Sequence, residues 1–409
     1  MSRLRVLLVG RHFWPHGSHD SAGDLVRLAV GLYRRGVQVE IATPRFGGSW
    51  PESIRLREIP VHRPLAAPRS EWSMGRYLRQ LTHWIRERAA GFDVLLADAI
   101  REESMAVVQA GRGADRPTVL RLFGFGEASD AAWWPHSRGS RRVLSFARAA
   151  DRVVVPSAAS QRLLLGQGFA PQRVVRIEPG FCPGSPRSES GRTAARETLG
   201  AINLDLACSP TTPVAVAIGR LRYGTGMARI AETAASLIRR FPDLRLWFIG
   251  DGSDRDSLYT ELNAEGLRGA FAMPGSFVEL QDVLAAADLF LQPDHYGLSH
   301  FMPAAVSAAL PLVIPDDEFT RAALGVPRGS SLDPRVGWCA DGSPKALRVA
   351  VRETLDDLSK RRSDAAELRK ALVRERSLGD TLDAYLRLFR DLVSGHRSPP
   401  SSAAEGAPS

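Results

Sequence analysis

Two segments of the sequence carry groups suited to holding a phosphate. Arg220 and Arg222 come just after the apolar run Val214 to Ile218, which predicts a buried strand, so both should lie in a loop at its carboxyl end. Further along the chain, Gly297 to His300 should lead into a helix around Ala304. Guanidinium groups and the backbone amides of a helix N-terminus both bind phosphate. Each segment therefore carries groups that could hold an anion.

The loop that follows the first predicted strand is rich in histidine. His12, His16 and His19 are spaced four and three residues apart, but a loop gives them no common face, so we expect no metal site there. We expect one of them to contact a bound substrate instead, and His16 and His19 are the candidates. Ala22 and Gly23 should lie in the turn into the next helix, where a glycine lets the backbone approach a ligand closely.

Apolar runs alternate with helical segments through the first half of the chain. Leu4 to Val9 predicts a buried strand, Leu25 to Leu32 one face of a helix that ends at Gly36, and Val37 to Thr43 a second strand. Further strands are predicted from Asp93, Thr118, Arg152 and Arg173. This pattern indicates a doubly wound parallel sheet.

A second series of strands and helices occupies the other half. Its strands are predicted from Val214, Leu244, Ala270, Leu289 and Pro311. We therefore expect an α/β fold with two Rossmann-like domains of doubly wound parallel sheet, facing a cleft where ligands bind at the carboxyl ends of strands. The predicted boundaries are 1–182 for the N-terminal domain, 183–212 for a linker with one short helix, 213–375 for the C-terminal domain, 376–395 for a helix that packs back toward the N-terminal domain, and 396–409 for a disordered tail.

The composition excludes some classes of protein. With 44% hydrophobic and 24% charged residues, and no apolar run near the roughly 20 residues that span a bilayer, we expect a soluble, cytoplasmic protein. The net charge is +9, and only three of the 54 basic residues are lysines, a bias typical of GC-rich bacterial genomes. The positive charge favours anionic partners. The arginines form no basic run interleaved with aromatic residues, so we expect no nucleic-acid binding.

The order of short motifs resembles the retaining GT-B glycosyltransferases of family 4, over nearly the whole chain up to about Leu392. The motifs are Phe13-Trp14-Pro15, Asp20-Ser21-Ala22-Gly23, Arg35-Gly36-Val37-Gln38-Val39, Ala150 to Ser157, Ile218-Gly219-Arg220-Leu221, Ile249 to Gly252, Pro274-Gly275-Ser276, Ala287 to Pro293 and Ala308 to Pro311. Each motif is weak alone, but the ordered set is hard to produce by chance. The resemblance implies a GT-B fold and sugar transfer from a nucleotide-diphosphate sugar as co-substrate, with no metal or other cofactor.

The resemblance also implies roles for residues of the C-terminal half. Arg220 should hold the donor diphosphate. Thr225 stands where the family has a lysine, and Arg222 either supplies the missing charge or is a solvated loop residue. The family's two glutamates correspond to Tyr296 and Ala304, neither of which is acidic. The implied donor site comprises the diphosphate-binding residues Arg220, Arg222, Thr225, Gly23, Gly297, Leu298, Ser299 and His300, and the nucleotide-binding residues Gly250, Gly275, Ser276, Tyr296 and Ala304.

Two carboxylates are candidates to replace the missing acids. Asp294 either approaches the sugar or forms an Asx turn after Pro293. Glu127 is the carboxylate nearest to Phe123, which stands where the family has a histidine, and it is a candidate for contacts with sugar or acceptor. By the same resemblance, the acceptor side should be lined by His16, His19, Ala22, Phe123 and Gly124.

Three functions are open on this basis. The first is retaining, metal-independent sugar transfer to a small-molecule acceptor in bacterial secondary metabolism, with an atypical donor or acceptor such as a thiol, which ionises more readily than a hydroxyl. The second is a catalytically silent GT-B protein that partners or activates an enzyme. The third is a membrane-associated transferase with a lipid-linked acceptor, which requires the amphipathic, basic segment Arg69 to Arg88 to be exposed and is less favoured. The pattern leaves the oligomeric state open.

Overall fold

Each half of the chain folds around its own sheet in a computed structural model, which describes residues 3–13, 19–184, 186–277 and 279–397. The predicted arrangement of two Rossmann-like α/β domains is confirmed. His16 lies outside the described residues, and so does the predicted tail from residue 398 onward.

The first domain is built on an eight-stranded sheet. Its strands are β1 (Arg5–Val9), β2 (Gln38–Ala42), β3 (Ser53–Leu56), β4 (Ile59–His62), β5 (Val94–Ala97), β6 (Thr118–Arg121), β7 (Arg152–Val155) and β8 (Val174–Arg176). The strand order is β3-β4-β2-β1-β5-β6-β7-β8; β3 runs antiparallel to β4, and the other described pairs are parallel. Its helices are α1 (Asp20–Arg34), α2 (Glu71–Arg88), α3 (Glu102–Ala114), α4 (Asp130–Trp133), α5 (Ser140–Ala147) and α6 (Ala158–Gly166).

The second domain is built on a six-stranded parallel sheet. Its strands are β9 (Val214–Ile218), β10 (Arg245–Ile249), β11 (Phe271–Gly275), β12 (Leu289–Leu291), β13 (Leu312–Pro315) and β14 (Gly337–Cys339). Its helices are α7 (Glu189–Ile202), α8 (Gly226–Arg240), α9 (Arg255–Ala264), α10 (Gln281–Ala286), α11 (Phe301–Ser307), α12 (Glu318–Leu324), α13 (Pro344–Asp356) and α14 (Leu358–Glu375). The order β11-β10-β9-β12-β13-β14 reverses between β9 and β12, and a crevice at their carboxyl ends is where such sheets bind ligands.

Every strand predicted from the sequence is present, but β3, β4 and β14 were not predicted. The hairpin of β3 and β4 lies at the edge of its sheet, and β3 has no buried residue. Pro60 interrupts the apolar residues of β4. β14 is only three residues long. Such short edge strands pair because of the neighbours they meet in the fold, and they carry little signal of their own.

The predicted linker is attached to the second domain through a buried carboxylate. Its helix α7 is longer than expected and packs against α10. Asp288, just before β12, is fully buried and accepts hydrogen bonds from Arg192 and Arg196 on α7. The same carboxylate also accepts from Arg187, Arg362 and the amide of Val214. The linker helix is thus part of the second domain's core.

The last described helix, α15 (Leu378–Arg397), returns to the first domain. Leu382 on α15 fills the space that a Cβ at Gly31 of α1 would need. Tyr385 and Phe389 are buried in the same core as Val6 and Leu8 of β1. The chain therefore joins the two domains twice, once through the linker and once through α15.

Replacing Asp288 with Asn should destabilise the second domain. D288N keeps the volume but leaves buried guanidinium groups without their counter-charge, a change that costs about 3–5 kcal/mol in buried ion pairs. Urea unfolding measures the change in the free energy of unfolding. D256N is the matched control, because the Asp256 side chain is 97% exposed. Equal, small effects of the two variants would contradict the role given to Asp288.

Candidate functional site

Three consecutive backbone amides of the second domain donate to a carboxylate of the first. These amides belong to Ser299, His300 and Phe301, where the loop after β12 enters α11, and are here called the amide row. Ser299 donates to Asp20 Oδ2 at 2.8 Å, and His300 and Phe301 donate to Oδ1 at 2.8 and 3.1 Å. Asp20 is the first residue of α1 and is buried. An oxyanion therefore occupies the position at which the sequence predicts a phosphate.

Two carboxylates and two arginines of the first domain form a buried network beside this contact. Arg121 donates to Asp24 and, at 2.6 Å, to Asp98. Arg27 donates to Asp24 at 2.5 Å and to the carbonyl of Ser299 at 2.8 Å, so the network reaches the second domain. Burial opposes the ionisation of Asp24, but Arg121 and Arg27 lower its pKa to about 2. Burial raises the pKa of Asp98 to about 8.

The contact between the domains shifts the pKa values of both Asp20 and His300. Burial raises the pKa of Asp20 to about 7, and the negative charge of Asp24 adds to the rise, while the hydrogen bonds from the amide row oppose it. Burial lowers the pKa of the His300 imidazole to about 3, and the positive charge of Arg27 adds to the fall. Near neutral pH, Asp20 is therefore close to its midpoint and His300 is uncharged.

The two domains approach each other so closely at this contact that no side chain fits at Gly23. A Cβ at Gly23 on α1 would overlap the His300 ring. At a second contact, His295 Nδ1 accepts from the amide of Glu127 at 3.2 Å, and its Nε2 lies 3.0 Å from Asp317 Oδ2. Burial alone would lower the pKa of His295, but the hydrogen bond with Asp317 raises it. The cleft is closed at both places.

The loop after β9 carries the arginines that are predicted to bind phosphate. Arg220 and Arg222 are both exposed at the carboxyl end of that strand. Thr225 donates its hydroxyl to the carbonyl of Arg222 at 2.5 Å, just before α8 begins at Gly226. Thr225 therefore shapes the loop, while the two guanidinium groups extend from it into solvent.

The carboxylate of Asp294 is buried, and neighbouring donors take up both of its oxygens. Oδ2 accepts from the amide of Gly226 at 2.6 Å, at the N-terminus of α8. Oδ1 accepts from the Gln292 side chain at 2.8 Å and from the amide of Tyr296 at 3.0 Å. The bond to Tyr296 is the Asx turn that the sequence offered as the alternative. The geometry thus favours a structural role for Asp294 over contact with a sugar.

Four other predicted donor-site residues lie in the same loop and helix. Tyr296 is 49% exposed, and Leu298 is buried. A Cβ at Gly297 would overlap the side chain of Gln292. Ala304 packs against the core from α11. Only Tyr296 among these four offers a polar side chain, so a ligand at these residues would meet them largely through the backbone.

Glycines bring the loops after β9, β10 and β11 into backbone contact. Gly250 has a φ of +145°, and a Cβ there would overlap the carbonyl oxygen of Gly219. The amide of Gly250 donates to the carbonyl of Gly275 at 2.9 Å, and Ser276 beside it is exposed. The predicted nucleotide-binding residues of these loops therefore form one platform of backbone at the carboxyl edge of the sheet.

A buried aspartate positions the predicted acceptor residues that follow β6. Asp130 accepts from the amide of Phe123 at 2.9 Å and from that of Ile100 at 2.8 Å. Phe123 is itself buried. Gly124 has a φ of +81°, and Glu127 is exposed. Of the predicted residues of this loop, Glu127 thus presents a charged side chain, whereas Phe123 contributes to packing.

The histidine-rich loop is described only in part. The rings of His12 and His19 stack with 4.0 Å between their centroids. Ala22 is buried in α1. Within the described ranges, no group of three or more His, Cys, Asp or Glu side chains is placed to hold a metal ion.

The amphipathic helix α2 packs on the first domain. Tyr77, Leu81 and Ile85 are buried, and α2 lies along α3. Trp72, in the first turn, is 94% exposed. None of the helices in the described part of the chain has the length and apolar character needed to cross a bilayer.

Sequence reasoning missed the side chains that join the domains at α1. Asp20, Asp24 and Arg27 follow one another at spacings of four and three, which places them on one face of the helix. Arg121 ends the strand β6, whose three preceding residues are buried. Acids and an arginine at helical spacing, together with an arginine at a strand end, are the signal that could have identified this network.

Two family models match the chain. Residues 25–183 match the model described as Glycosyltransferase Family 4, and residues 212–357 match the model described as Glycosyl transferases group 1. The first match lies in the domain of α1, and the second in the domain of the amide row. Together they span most of both domains.

Two curated proteins are similar over nearly the whole chain. It is 25% identical to the D-inositol 3-phosphate glycosyltransferase of Kineococcus radiotolerans, over 97% of this chain and 98% of that protein. It is 26% identical to the GDP-mannose-dependent alpha-mannosyltransferase of Mycolicibacterium smegmatis, over 91% of this chain and 93% of that protein.

Solved structures confirm the GT-B fold. Anabaena HepE in complex with UDP and glucose superposes with a TM-score of 0.72 at 18% identity, covering 95% of this chain and all of that one. WaaG, a glycosyltransferase of lipopolysaccharide biosynthesis, superposes with a TM-score of 0.69 at 16% identity, covering 94% of this chain and 99% of that one.

Replacing Asp294 with Ala should lower stability, because the carboxylate caps α8. D294A leaves the buried amide of Gly226 without its acceptor, and losses of this kind cost about 1–3 kcal/mol. Urea unfolding measures the change, with D256A as a control at an exposed position. A D294A variant as stable as the wild type would contradict the capping role and reopen contact with the sugar.

Proposed function

We infer that this chain, a glycosyltransferase that has the GT-B fold and resembles family 4, moves a sugar from a nucleotide-diphosphate sugar to a small-molecule acceptor with retention of configuration. The nucleotide sugar is the co-substrate, and the proposed reaction uses neither a metal nor another cofactor. We place the reaction in bacterial secondary metabolism.

The observation that carries this proposal is the oxyanion held by the amide row. The three amides converge on the two oxygens of Asp20, and a phosphate presents a similar pair of oxygens. Arg220 and Arg222 follow β9, the strand next to β12, so they bring two cations to the same crevice. Amides and guanidinium groups together support a donor site that needs no metal.

In the proposed reaction, the bond between the anomeric carbon and the diphosphate oxygen breaks, and a bond to the acceptor forms on the same face of the sugar. The amide row, Arg220 and Arg222 stabilise the negative charge that develops on the leaving diphosphate. The acceptor proton passes to the departing phosphate oxygen, so no protein base is required. This route is compatible with a buried, hydrogen-bonded Asp294.

The first domain is proposed to bind the acceptor, at the loop after β6 and the N-terminus of α1. Glu127 is the exposed carboxylate of that loop, and it lies beside the contact with His295. A thiol acceptor suits a site without a protein base, because a thiol has a pKa of about 8.5 and ionises far more readily than a hydroxyl. S-glycosylation is therefore the acceptor chemistry to test first.

One observation favours a second function, that of a catalytically silent partner protein. Asp20 fills the amide row in the structure, and a carboxylate that never left would keep the donor out. A third function, that of a membrane-associated transferase, has less support. Helix α2 packs on the first domain through Tyr77, Leu81 and Ile85, and Trp72 lies exposed at its start.

Thermal unfolding with UDP, GDP, ADP, CMP or TDP tests the donor site. One nucleotide should stabilise the protein by about 2.7 kcal/mol at a hundredfold excess over its Kd. R220Q should lose most of this stabilisation, and R222Q should lose part of it. R268Q is the control, because Arg268 is exposed but precedes β11, at the opposite edge of the sheet. The absence of a shift with all five nucleotides would favour the silent partner.

A donor identified in this way allows the stereochemistry to be measured. We expect the proton-proton coupling at the anomeric carbon of the product to report the same configuration as in the donor sugar. A thiol and the alcohol of the same skeleton make a matched acceptor pair, and the thiol should react faster at pH 8 because more of it is ionised. An inverted product would contradict the retaining mechanism.

A further inference from the structure

We propose that the Asp20 carboxylate is an internal latch: it holds the two domains closed in the free protein and must leave the amide row before the donor diphosphate can bind there. The latch rests on the proposed function, because the ligand that displaces Asp20 is the proposed donor. In this form of regulation, the donor enters the site only after the Asp20 carboxylate has been released from the amide row.

Hydrogen bonding makes the carboxylate a direct competitor of phosphate. Each amide of the row donates to Asp20, and both carboxylate oxygens are used. A phosphate would need the same donors, so the two anions cannot occupy the row together. Asp20 belongs to α1 of the first domain and the amide row to the second, so the bonds form only when the domains are close. Binding of one anion therefore excludes the other.

Two neighbouring contacts hold α1 in the latched position. Arg27 donates to the carbonyl of Ser299 at 2.8 Å, within the loop that carries the amide row. The His300 ring lies against Gly23, where a Cβ would overlap it. Asp24 pairs with both Arg27 and Arg121, so these ion pairs tie α1 to the end of β6 just beyond the turn that carries Asp20.

The latch is coupled to pH through the groups around it. The ionisable groups in this region are Asp24 and Arg27 on α1, His19 before it, His300 before α11, Arg121 on β6, Asp98 after β5 and Tyr385 on α15. Burial raises the pKa of Asp20 to about 7, whereas an aspartate in water has a pKa of about 3.9. Between these values, the latched carboxyl holds a proton that the displaced one loses. The latched state is thus favoured at low pH, and donor affinity should rise as pH increases through this window.

If the domains separate, protonation of His300 opposes the effect of Asp20 on the pH dependence of donor binding. Burial lowers its pKa to about 3, and an exposed imidazole takes up a proton below about pH 6.5. Proton uptake at His300 would therefore offset proton release at Asp20 in the lower part of the window. A comparison of wild type with D20N isolates the contribution of Asp20, because both proteins retain His300.

Hydrogen-deuterium exchange without any nucleotide tests the contact itself. In D20N the volume is kept, but the side-chain amide has one acceptor oxygen and would turn its own N–H groups toward the amide row. We expect faster exchange at Ser299, His300 and Phe301, and faster exchange still in D20A. D256N removes one carboxylate from an exposed position and should exchange as wild type does. Circular dichroism checks that each variant keeps its secondary structure.

Titration calorimetry with UDP-glucose and GDP-mannose tests the competition. These diphosphates carry two ester bonds and do not titrate between pH 5 and 8, so protons released on binding come from the protein. At pH 7, D20N should bind one of the two sugars about tenfold tighter than wild type does, because its competent state is more populated. At pH 6, wild type should release about one proton more than D20N, as measured in buffers of different ionisation enthalpy.

The combination of results separates the latch from the proposed function. Unchanged exchange at the amide row in D20N and D20A would overturn the latch, whatever the nucleotide sugars do. Faster exchange with equal affinities for wild type and D20N would overturn the competition and leave the donor site standing. Faster exchange with no binding to any of the three proteins would reject both the competition and the donor site, and would leave Asp20 as a contact that only closes the domains.

Discussion

Buried backbone amides need hydrogen-bond acceptors, and the first amides of a helix find none within their own helix. In this protein that requirement is met across the cleft, since Asp20 accepts from the whole amide row. These bonds bring the two domains close together, and several other features follow from that closeness. Gly23 has room for a hydrogen only, His300 is buried in its neutral form, and Arg27 reaches the carbonyl of Ser299. The bonds from the amide row to Asp20 are thus central to one of the two places at which the cleft is closed.

The sequence predicts most of the fold because buried parallel strands are continuous apolar runs. The runs that became β1 and β9 are of this kind, and their carboxyl ends fix where the candidate site lies. The hairpin of β3 and β4 has no such run, and β14 is too short to show one. The linker helix α7 joins the second domain through the contacts of Arg192 and Arg196 with Asp288, which lie about ninety residues apart and produce no local pattern.

In the candidate site, too, some features could be predicted from the sequence and others could not. The places of Arg220 and of the amide row in the fold were predictable, because a loop after a strand and a turn into a helix are local features. Asp294 had two local alternatives, and only the structure shows that the amide of Gly226 takes up its carboxylate. Asp20 was not identified as a ligand of the amide row, since a contact between residues 279 positions apart depends on how the domains meet. The periodicity of residues along the chain gives no information about a contact between residues so far apart in sequence.

The resemblance to family 4 places a lysine and two glutamates where this chain has Thr225, Tyr296 and Ala304, so the proposed donor site lacks one cation and two fixed anions. Asp20 returns a carboxyl group, but on the opposite domain, and burial raises its pKa to about 7. While it stays, the partial positive charge of the amide row is satisfied; once it leaves, the row and the arginines after β9 face an incoming diphosphate without a glutamate at either matched position to oppose them. In the proposed donor site, the missing acids would therefore favour the diphosphate and weaken recognition of sugar and ribose hydroxyls. A site of this kind gains selectivity from the requirement that its ligand displace a carboxylate, which a neutral sugar cannot do.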